Sequence, residues 1–451
     1  MKSKLWIWIV ILLLYACNNN TQATKQPAIS DVEYLHAAQK KLTDIIVLDI
    51  FSPPVASRVY VYPLLAAYEA GKFVKADAKS ITDQLHGFEK MPLPESGKEY
   101  DFTVAAIKAL CTTAPKVIFS TQEMKDFEDK TLAELKARSS EEVYNRSIAL
   151  GQQVAEIVMK RMAKDNYNET RGMARFEVKA DVAGRWVPTP PDYADAVEPH
   201  WTKMKPLVMD SSAHCAAIPA DPYSEDPNSP FWKEVQEVYA ISKNITPEQE
   251  EIITFWDDNP FVSRHKGHLM FQDKKMTPGG HWLAICQLFL KEKKIGMYES
   301  LNAYALTSVA LYDAFISCWE EKYRSLRLRP ETVISAKIDK EWHPYLITPP
   351  FPAYTSGHST VSSAAAEVLT GLFGDNQPFT DTTEKEYGLP VRSFSSFRQA
   401  AQEASMSRVY AGIHYRSDCD NGNEQGARVG QLVLNRIKLN DQKMIGDNSS
   451  Q

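Results

Sequence analysis

The chain has 451 residues, of which 44% are hydrophobic and 24% are charged, a balance typical of a globular protein with a large buried core. Its formal net charge of −6 excludes the broad basic field that a nucleic-acid-binding protein would present. No segment has eighteen apolar residues in a row, so the body of the protein is predicted to be soluble.

The N-terminus has the pattern of a targeting segment. Lys2 and Lys4 flank the start of an apolar run of ten residues, 5–14, which is too short for an ordinary membrane-spanning helix. The sequence then reads Leu-Tyr-Ala-Cys up to Cys17, which resembles a bacterial lipobox. We therefore expect a signal peptide over residues 1–17 and an extracytoplasmic protein whose only membrane attachment is a lipid on Cys17. The alternative is a plain secretory signal with a chance cysteine.

Beyond the leader, apolar residues recur at three- and four-residue spacing, which predicts amphipathic helices. Residues 18–30 are polar and predict a flexible tether, and residues 31–185 predict a helical N-terminal region. Nine prolines within 186–230 exclude a long helix there and indicate an ordered wrapping segment. Residues 231–440 are predicted as a catalytic helical domain, followed by a disordered tail over 441–451.

The predicted helices make the fold class mostly α, a helical bundle, because strand patterns are sparse. One helix begins at Thr246-Pro247-Glu248-Gln249, a capping-box sequence with proline at the first helical position. Cys286 and Cys318 lie in apolar helical contexts and are predicted to be buried. The other predicted helices cover residues 57–71, 101–113, 121–138, 140–163, 231–243, 279–291, 296–320, 359–374, 394–410 and 420–437.

Three short polar strings follow one another in the last third of the chain. They are Lys322 with Arg329; Ser356-Gly357-His358; and Arg408 with His414 and Asp418. Together they supply three cations, a hydroxyl, a glycine amide and two imidazoles. Each cation alone is typical of a solvated surface charge, but the joint set indicates a site that binds a tetrahedral oxyanion and acts on it.

The local context of these strings supports an anion site. Arg329 precedes a proline, which favours an extended backbone and a guanidinium projecting from a loop. Ser356 and Gly357 stand before an Ala-rich helix, whose free N–H groups and positive dipole end favour an anion. His414 and Asp418 are four residues apart, so one helical turn would let the carboxylate fix the imidazole tautomer.

In this order the strings resemble the signature shared by type-2 phosphatidic acid phosphatases and vanadium-dependent haloperoxidases. Thr355 departs from it mildly, because many members have proline there. Trp319, three residues before the lysine, and Phe351, five before the serine, are similar to the haloperoxidase branch, as are residues 184–191 and 279–282. The resemblance is strong from about 296 to 435 and closest to small bacterial iodoperoxidases.

The resemblance implies a vanadate cofactor whose vanadium is held by His414, with Asp418 behind it. His358 would be the acid/base for hydrogen peroxide, and halide would react beside Trp319 and Phe351. The product would be a hypohalous species, formed from iodide and secondarily bromide, with small organic acceptors as further partners and no nucleic acid. The oligomeric state is left open. The residues that would hydrogen-bond the vanadate oxygens are Lys322, Arg329, Ser356, Gly357 through its N–H, and Arg408.

Two other functions stay open at this point. An acid phosphatase acting on soluble phosphate esters would use the same residues, with His414 as nucleophile and His358 as proton donor to the leaving group. A non-catalytic oxyanion-binding surface lipoprotein would need the cations alone.

Three weaker signals lie outside the strings. Asp257 and Asp258 are interpreted as a solvated helix end, although they would also suit the orientation of an active-site arginine. His281 is interpreted as a structural histidine in preference to a pocket wall. His265 and His268 lack a third ligand, which favours a structural interpretation over a metal site.

Overall fold

The computed structural model describes residues 30–260, the backbone of 263–266 and 269–272, and residues 274–439. Within these ranges the chain forms fourteen α-helices and two short antiparallel hairpins, which confirms the mostly-α prediction. The signal peptide with Cys17, the tether up to residue 29 and the tail from 441 lie outside the described residues.

The helices are α1 (Asp31–Asp49), α2 (Pro53–Gly71), α3 (Phe102–Thr113), α4 (Thr121–Lys136), α5 (Glu141–Met162), α6 (Tyr167–Arg171), α7 (Pro230–Ser242), α8 (Pro247–Phe255), α9 (Pro278–Glu292), α10 (Met297–Ser325), α11 (Pro330–Lys337), α12 (Gly357–Phe373), α13 (Phe397–Tyr410) and α14 (Arg416–Arg436). The hairpins pair β1 (Ser263–Lys266) with β2 (Leu269–Gln272) and β3 (Phe379–Asp381) with β4 (Arg392–Phe394).

Most helix boundaries lie within a few residues of the predicted ones, and the differences have local causes. Helix α2 begins at Pro53, four residues earlier than predicted, because proline is tolerated in a first turn whose N–H groups need no helical partner. The predicted capping box at Thr246 is present at the start of α8. Helix α11 was not predicted; Pro330 occupies its first position, and Arg329 is its N-cap in an extended conformation.

Helix α10 is the central element of the bundle. It is buried on almost every side, as expected for a helix surrounded by others, and it packs against α2, α9, α12 and α14. It extends five residues beyond its predicted end, so Lys322 lies within the helix. The described residues from Asp31 to Leu439 cluster as one compact unit. The boundaries at 186 and 231 stay predictions about organisation along the chain.

Helices α12 and α14 approach each other closely along a row of glycines. Gly422, Gly426 and Gly430 recur every four residues on the face of α14 that meets α12. A Cβ atom added at Gly426 would lie 2.0 Å from the backbone oxygen of Thr360. The glycines therefore permit the contact that brings together the N-terminal ends of the two helices, where the Ser356 N–H donates to the Asp418 carbonyl at 2.8 Å.

The backbone of the proline-rich segment is hydrogen-bonded to side chains of α10. The Val197 carbonyl accepts from Trp319 Nε1 at 3.2 Å and from the Tyr323 hydroxyl at 2.7 Å. Further along, Asp313 accepts three backbone N–H bonds from residues 207–209, each at 2.8 Å. These bonds hold the segment against the helix that carries Trp319 and Lys322.

Five cysteines fall in the described part of the chain, and each is buried with a free thiol. Burial was predicted for Cys286 and Cys318, and the structure confirms it for both. Among the described residues, none of the helices combines the length and the apolar character needed to cross a bilayer.

Candidate active site

A small cavity lies where α10, the start of α12 and the α13–α14 connection meet. Its free volume is about 40 Å³, whereas one water needs roughly 10–15 Å³ on the same measure. The cavity therefore accepts an ion of a few heavy atoms. Its walls include Trp319, Phe351, Gly357, His358, Arg408 and His414. Three other predicted site residues, Lys322, Arg329 and Ser356, contact these wall residues or their neighbours from behind.

His414 presents one imidazole nitrogen towards the cations and the other towards a carboxylate. Its Nδ1 lies 3.1 Å from Asp418 Oδ2, an oxygen that also accepts the Tyr415 N–H at 3.0 Å. An Nδ1–H bonded to a carboxylate leaves the lone pair on Nε2, and Arg329 Nη1 donates to that atom at 3.0 Å. The pKa of His414 is well below its usual value because of burial and the nearby cations Arg329, Lys322 and Arg408. The neutral ring is a potential ligand through its single lone pair, on Nε2, which accepts from Arg329.

Arg329 is fully buried and only partly satisfied. Its Nε donates to the Phe351 carbonyl at 2.9 Å and its Nη1 to the Ile413 carbonyl at 2.7 Å, but Nη2 has no partner among the described residues. Burial lowers the pKa of Arg329 to about 10. An unpaired donor on a buried cation is costly, which indicates a place for an anion.

Lys322 occupies a supporting position. Its amine donates to the carbonyls of Pro352, Ala353 and Thr355 at 2.9, 3.2 and 2.6 Å, so its three hydrogens are all used. The amine also lies 4.9 Å from the centre of the Phe351 ring. Burial lowers the pKa of Lys322 to about 8. A bound anion would favour the charged form, because opposite charges stabilise each other in a dry site.

Arg408 is the third buried cation of the site and, unlike Lys322 and Arg329, it lines the cavity. Its Nε donates to Ser407 Oγ at 2.8 Å and its Nη2 to the Trp256 carbonyl at 2.7 Å. Burial lowers its pKa, although Asp257 and Asp258 oppose the shift. The side chain is thereby fixed in position before any ligand arrives.

The start of α12 combines an N-cap, a glycine and a histidine. Ser356 is the N-cap and accepts the Ser359 N–H at 3.3 Å. A Cβ added at Gly357 would project to 3.8 Å from the Trp319 ring, so glycine leaves that part of the cavity open. His358 Nε2 is buried without a hydrogen-bond partner in the described chain. Burial, and then Arg408 and His414, place the pKa of His358 well below its usual value, which makes it a neutral base.

One wall of the cavity is apolar and aromatic. The Trp319 ring lies 5.1 Å from Phe351 and 5.6 Å from Phe315, measured between ring centroids. Leu346, Ile347 and Ile413 complete this side. An anion bound by the buried cations would therefore lie next to this apolar wall, as expected for a site that accepts a weakly hydrated ion.

Several residues that support the site were not found from the sequence. Arg327 donates to Asp418 Oδ1 and to Glu234 Oε2, both at 2.6 Å, and so fixes the carboxylate behind His414. The alternation Arg327-Leu328-Arg329 was a usable signal, since residues two apart in an extended chain share one side.

The solvated interpretation of the Asp257-Asp258 pair is wrong for Asp258, which is 2% exposed. It follows α8 and lies between the cavity and His281. His281 is fully buried and is not among the residues lining the cavity, in agreement with its structural interpretation. His265 lies on β1, of which only the backbone is described, and His268 lies outside the described residues.

Proteins of known structure resemble this chain over most of its length. The crystal structure of the first bacterial vanadium-dependent iodoperoxidase is 44% identical in sequence, covers 92% of this chain and 99% of its own, and superposes with a TM-score of 0.86. The chain belongs to the vanadium-dependent haloperoxidases. A family model described as the second helical-bundle domain of VCPO matches residues 302–441.

Two further relatives of this haloperoxidase have lower sequence identity to it. Vanadium chloroperoxidase of Curvularia inaequalis is 27% identical over 191 residues, which span 30% of this chain and 31% of that protein's length. A holo-type bacterial vanadium-dependent chloroperoxidase shares the fold, with 17% identity, coverage of 90% of this chain and 97% of its own, and a TM-score of 0.65.

The residues of this haloperoxidase fit vanadate, a tetrahedral oxyanion. The unpaired Nη2 of Arg329 is a donor for an oxyanion oxygen, and the lone pair of His414 Nε2, which accepts from Arg329 Nη1, would become a metal ligand when that hydrogen bond is released. Gly357 contributes a helix N-terminus without a Cβ in the cavity. The cavity has the size, the charge and the ligand atom that such an anion requires.

Proposed function

We propose that the protein oxidises halide with hydrogen peroxide, preferring iodide to bromide, through a vanadate cofactor. Halide, hydrogen peroxide and one proton give hypohalous acid and water. The observation that carries the proposal is a neutral, carboxylate-oriented His414 beside buried cations and a small cavity. The likeness to an iodoperoxidase over almost the whole chain supports iodide as the first substrate.

In this proposal His414 Nε2 binds vanadium, and Arg329 and Arg408 bind the oxygens together with Ser356 and the Gly357 N–H. Lys322 contributes charge from behind Phe351, since its hydrogens are engaged by carbonyls. When bound, vanadate supplies a Lewis acid that activates hydrogen peroxide without a change in its own oxidation state. The cations offset its negative charge in a site where water screens little.

His358 is the group that moves a proton. Its Nε2 is unpartnered and the ring is neutral at physiological pH, so it accepts a proton from hydrogen peroxide as peroxide enters. The same proton is then available for the departing water. A base with a free nitrogen on the cavity wall is more than a passive oxyanion-binding protein would need.

The aromatic wall favours the halide that loses its hydration most easily. Trp319 and Phe351 offer no charged or strongly hydrogen-bonding group to a small, strongly hydrated anion. Iodide is large, weakly hydrated and easily oxidised. The wall therefore supports the order iodide, then bromide.

The test is halide oxidation by purified protein before and after reconstitution with vanadate. We expect triiodide formation from iodide and peroxide only with vanadate, and a slower reaction with bromide. Preincubation with excess inorganic phosphate should slow the gain of activity, because phosphate competes for the same cations. Hydrolysis of p-nitrophenyl phosphate by vanadate-free protein, with vanadate acting only as an inhibitor, would instead establish the phosphatase alternative.

We also propose that the protein is a lipoprotein anchored through Cys17 on the extracytoplasmic side of a bacterial membrane. The support is the basic start, the apolar run of 5–14 and the Leu-Tyr-Ala-Cys sequence. In a bacterial host, wild-type protein should incorporate labelled palmitate and sediment with membranes, and Cys17→Ala should do neither. Equal membrane association of both proteins would rule the anchor out.

A further inference from the structure

A buried group of four ionisable side chains lies behind the cavity wall. His281, in the first turn of α9, has Nδ1 3.0 Å from Asp258 Oδ1 and Nε2 3.0 Å from Asp381 Oδ2. Glu384 Oε1 lies 3.8 Å from the same Nδ1. These residues come from the loop after α8, from α9, and from β3 and the turn that follows it. Their meeting is a feature of the tertiary fold that no short sequence spacing encodes.

His281 is held as a cation. Both ring nitrogens face carboxylate oxygens, and only the protonated imidazole has two N–H groups to donate. Burial alone would lower the pKa of His281, but Asp258 and Asp381 outweigh it and raise the pKa well above its usual value. Burial also raises the pKa of Glu384, which favours the neutral form of this third acid.

Asp258 connects this group to the cavity. While His281 occupies its Oδ1, its Oδ2 lies 3.8 Å from His358 Nε2, the nitrogen that has no hydrogen-bond partner among the described residues. The Trp256 and Phe255 rings pack against His281, with centroids at 4.7 and 5.5 Å. The Asp258 carboxylate therefore pairs on one side with His281, which is packed among aromatic rings. On its other side it faces His358.

We propose that His281 is a positioning residue for His358, because it holds Asp258 with one carboxylate oxygen turned towards His358 Nε2. The inference rests on the proposed function, in which His358 exchanges a proton with peroxide. A proton on Nε2 then has a fixed anion beside it, which offsets the cation Arg408 on the same cavity wall. His281 itself keeps Asp258 from pairing fully with His358, so the base stays free between turnovers.

The charged and titratable neighbours of both histidines define the direction in which the pKa of His358 should change when His281 is replaced. His358 is surrounded by Asp258, Arg408, His414 and His281, and His281 by Asp258, Asp381 and Glu384. Removing the His281 cation takes away one group that lowers the pKa of His358 and frees Asp258 to pair with it. Both changes favour protonated His358, so its titration should move to higher pH.

The experiment follows the His358 imidazole by NMR during a pH titration of full-length, vanadate-free protein. In His281→Gln the midpoint should rise by about one pH unit or more. In vanadate-loaded enzyme kcat should fall by roughly tenfold, as is common when a supporting partner is lost, and the acidic limb of the pH profile should move upwards. The KM for iodide should stay unchanged, since His281 does not line the cavity.

One further variant serves as a control, and a second should give a smaller effect. His36→Gln removes another buried imidazole, which bonds the Tyr304 hydroxyl at 2.7 Å and does not line the cavity. This variant should leave the His358 titration unchanged. Asp381→Asn keeps an acceptor for His281 Nε2 while removing its charge, and should shift the midpoint in the same direction by less.

Three results separate the possibilities. A lower unfolding temperature in His281→Gln without any change in the His358 midpoint or the pH profile would overturn the proposal. So would a stoichiometric metal ion in purified wild type, because Asp258, His281 and Glu384 offer ligand atoms within 4.8 Å of one another and a metal would replace the Asp258–His281 bond. A shifted midpoint in a protein without haloperoxidase activity would support the positioning role and reject the proposed function alone.

Discussion

With alanine in place of His414, the protein is expected to lose vanadate binding by at least about 100-fold, because the variant lacks the neutral nitrogen that faces Arg329. Halide oxidation should fall to the background rate of free vanadate. Titration of vanadate-free protein followed by ⁵¹V NMR would measure the affinity. The cations remain in this variant, so weak, non-coordinate binding of phosphate should survive.

The stability of the variant needs a separate comparison. Removing His414 leaves Asp418 Oδ2 with one donor fewer and Arg329 Nη1 without its imidazole acceptor. His414→Gln keeps a polar group there and should fold closer to wild type while still failing to bind vanadate. His343→Ala, at a largely exposed histidine, is the matched control and should bind normally. Unchanged vanadate affinity in both His414 variants would remove this residue as the metal ligand.

The second prediction with a large expected effect concerns the packing of α12 against α14. Gly426→Ala should destabilise the protein by about 3 kcal/mol or more, since its Cβ would meet the Thr360 backbone oxygen at 2.0 Å and neither helix can relieve the overlap by a side-chain rotation. The midpoint of thermal unfolding would report the loss. Vanadate affinity should fall as well, because separating α12 from α14 separates Ser356 from Asp418.

The neighbouring glycines make this a graded test. At Gly430 the nearest atoms to an added Cβ are at 2.7 Å, and at Gly422 they are at 3.0 to 3.2 Å, so alanine should cost less at Gly430 and least at Gly422. Gly172→Ala is the control, because its added Cβ would meet nothing nearer than 3.8 Å. Equal stability of the Gly426 and Gly172 variants would mean that the helices are not in close contact at Gly426.

The sequence predicted those parts of the site whose residues sit at fixed spacing on one element. The Ser356-Gly357-His358 string starts α12, and the His414–Asp418 pair is joined across the start of α14, because caps and helical turns are local. Arg327 and the contacts of His281 were missed for the opposite reason. Arg327 lies 91 residues from Asp418, and His281 lies 23 residues from Asp258 and 100 from Asp381, so only the packed fold brings these partners together.

The prediction for Lys322 shows a second limit. The sequence indicated Lys322 as a hydrogen-bond donor to the oxyanion, but it gave no sign that three carbonyls of the 352–355 backbone would take its hydrogens. Proline at 349, 350 and 352 shapes that backbone so that its carbonyls converge. Such convergence depends on backbone path, which residue identity constrains only in part.

The buried thiols bear on the working life of the protein. A hypohalous species leaving the cavity reacts fastest with thiolates, and burial raises the pKa of each of the five described cysteines, to about 11 for Cys215 and about 12 for Cys419. These thiols are thus kept protonated and buried. This is true even of Cys318, whose Sγ lies 3.5 Å from the carbonyl of Thr355, the residue before Ser356. An enzyme that makes an oxidising product in a buried cavity thereby protects its own thiols from oxidation by that product.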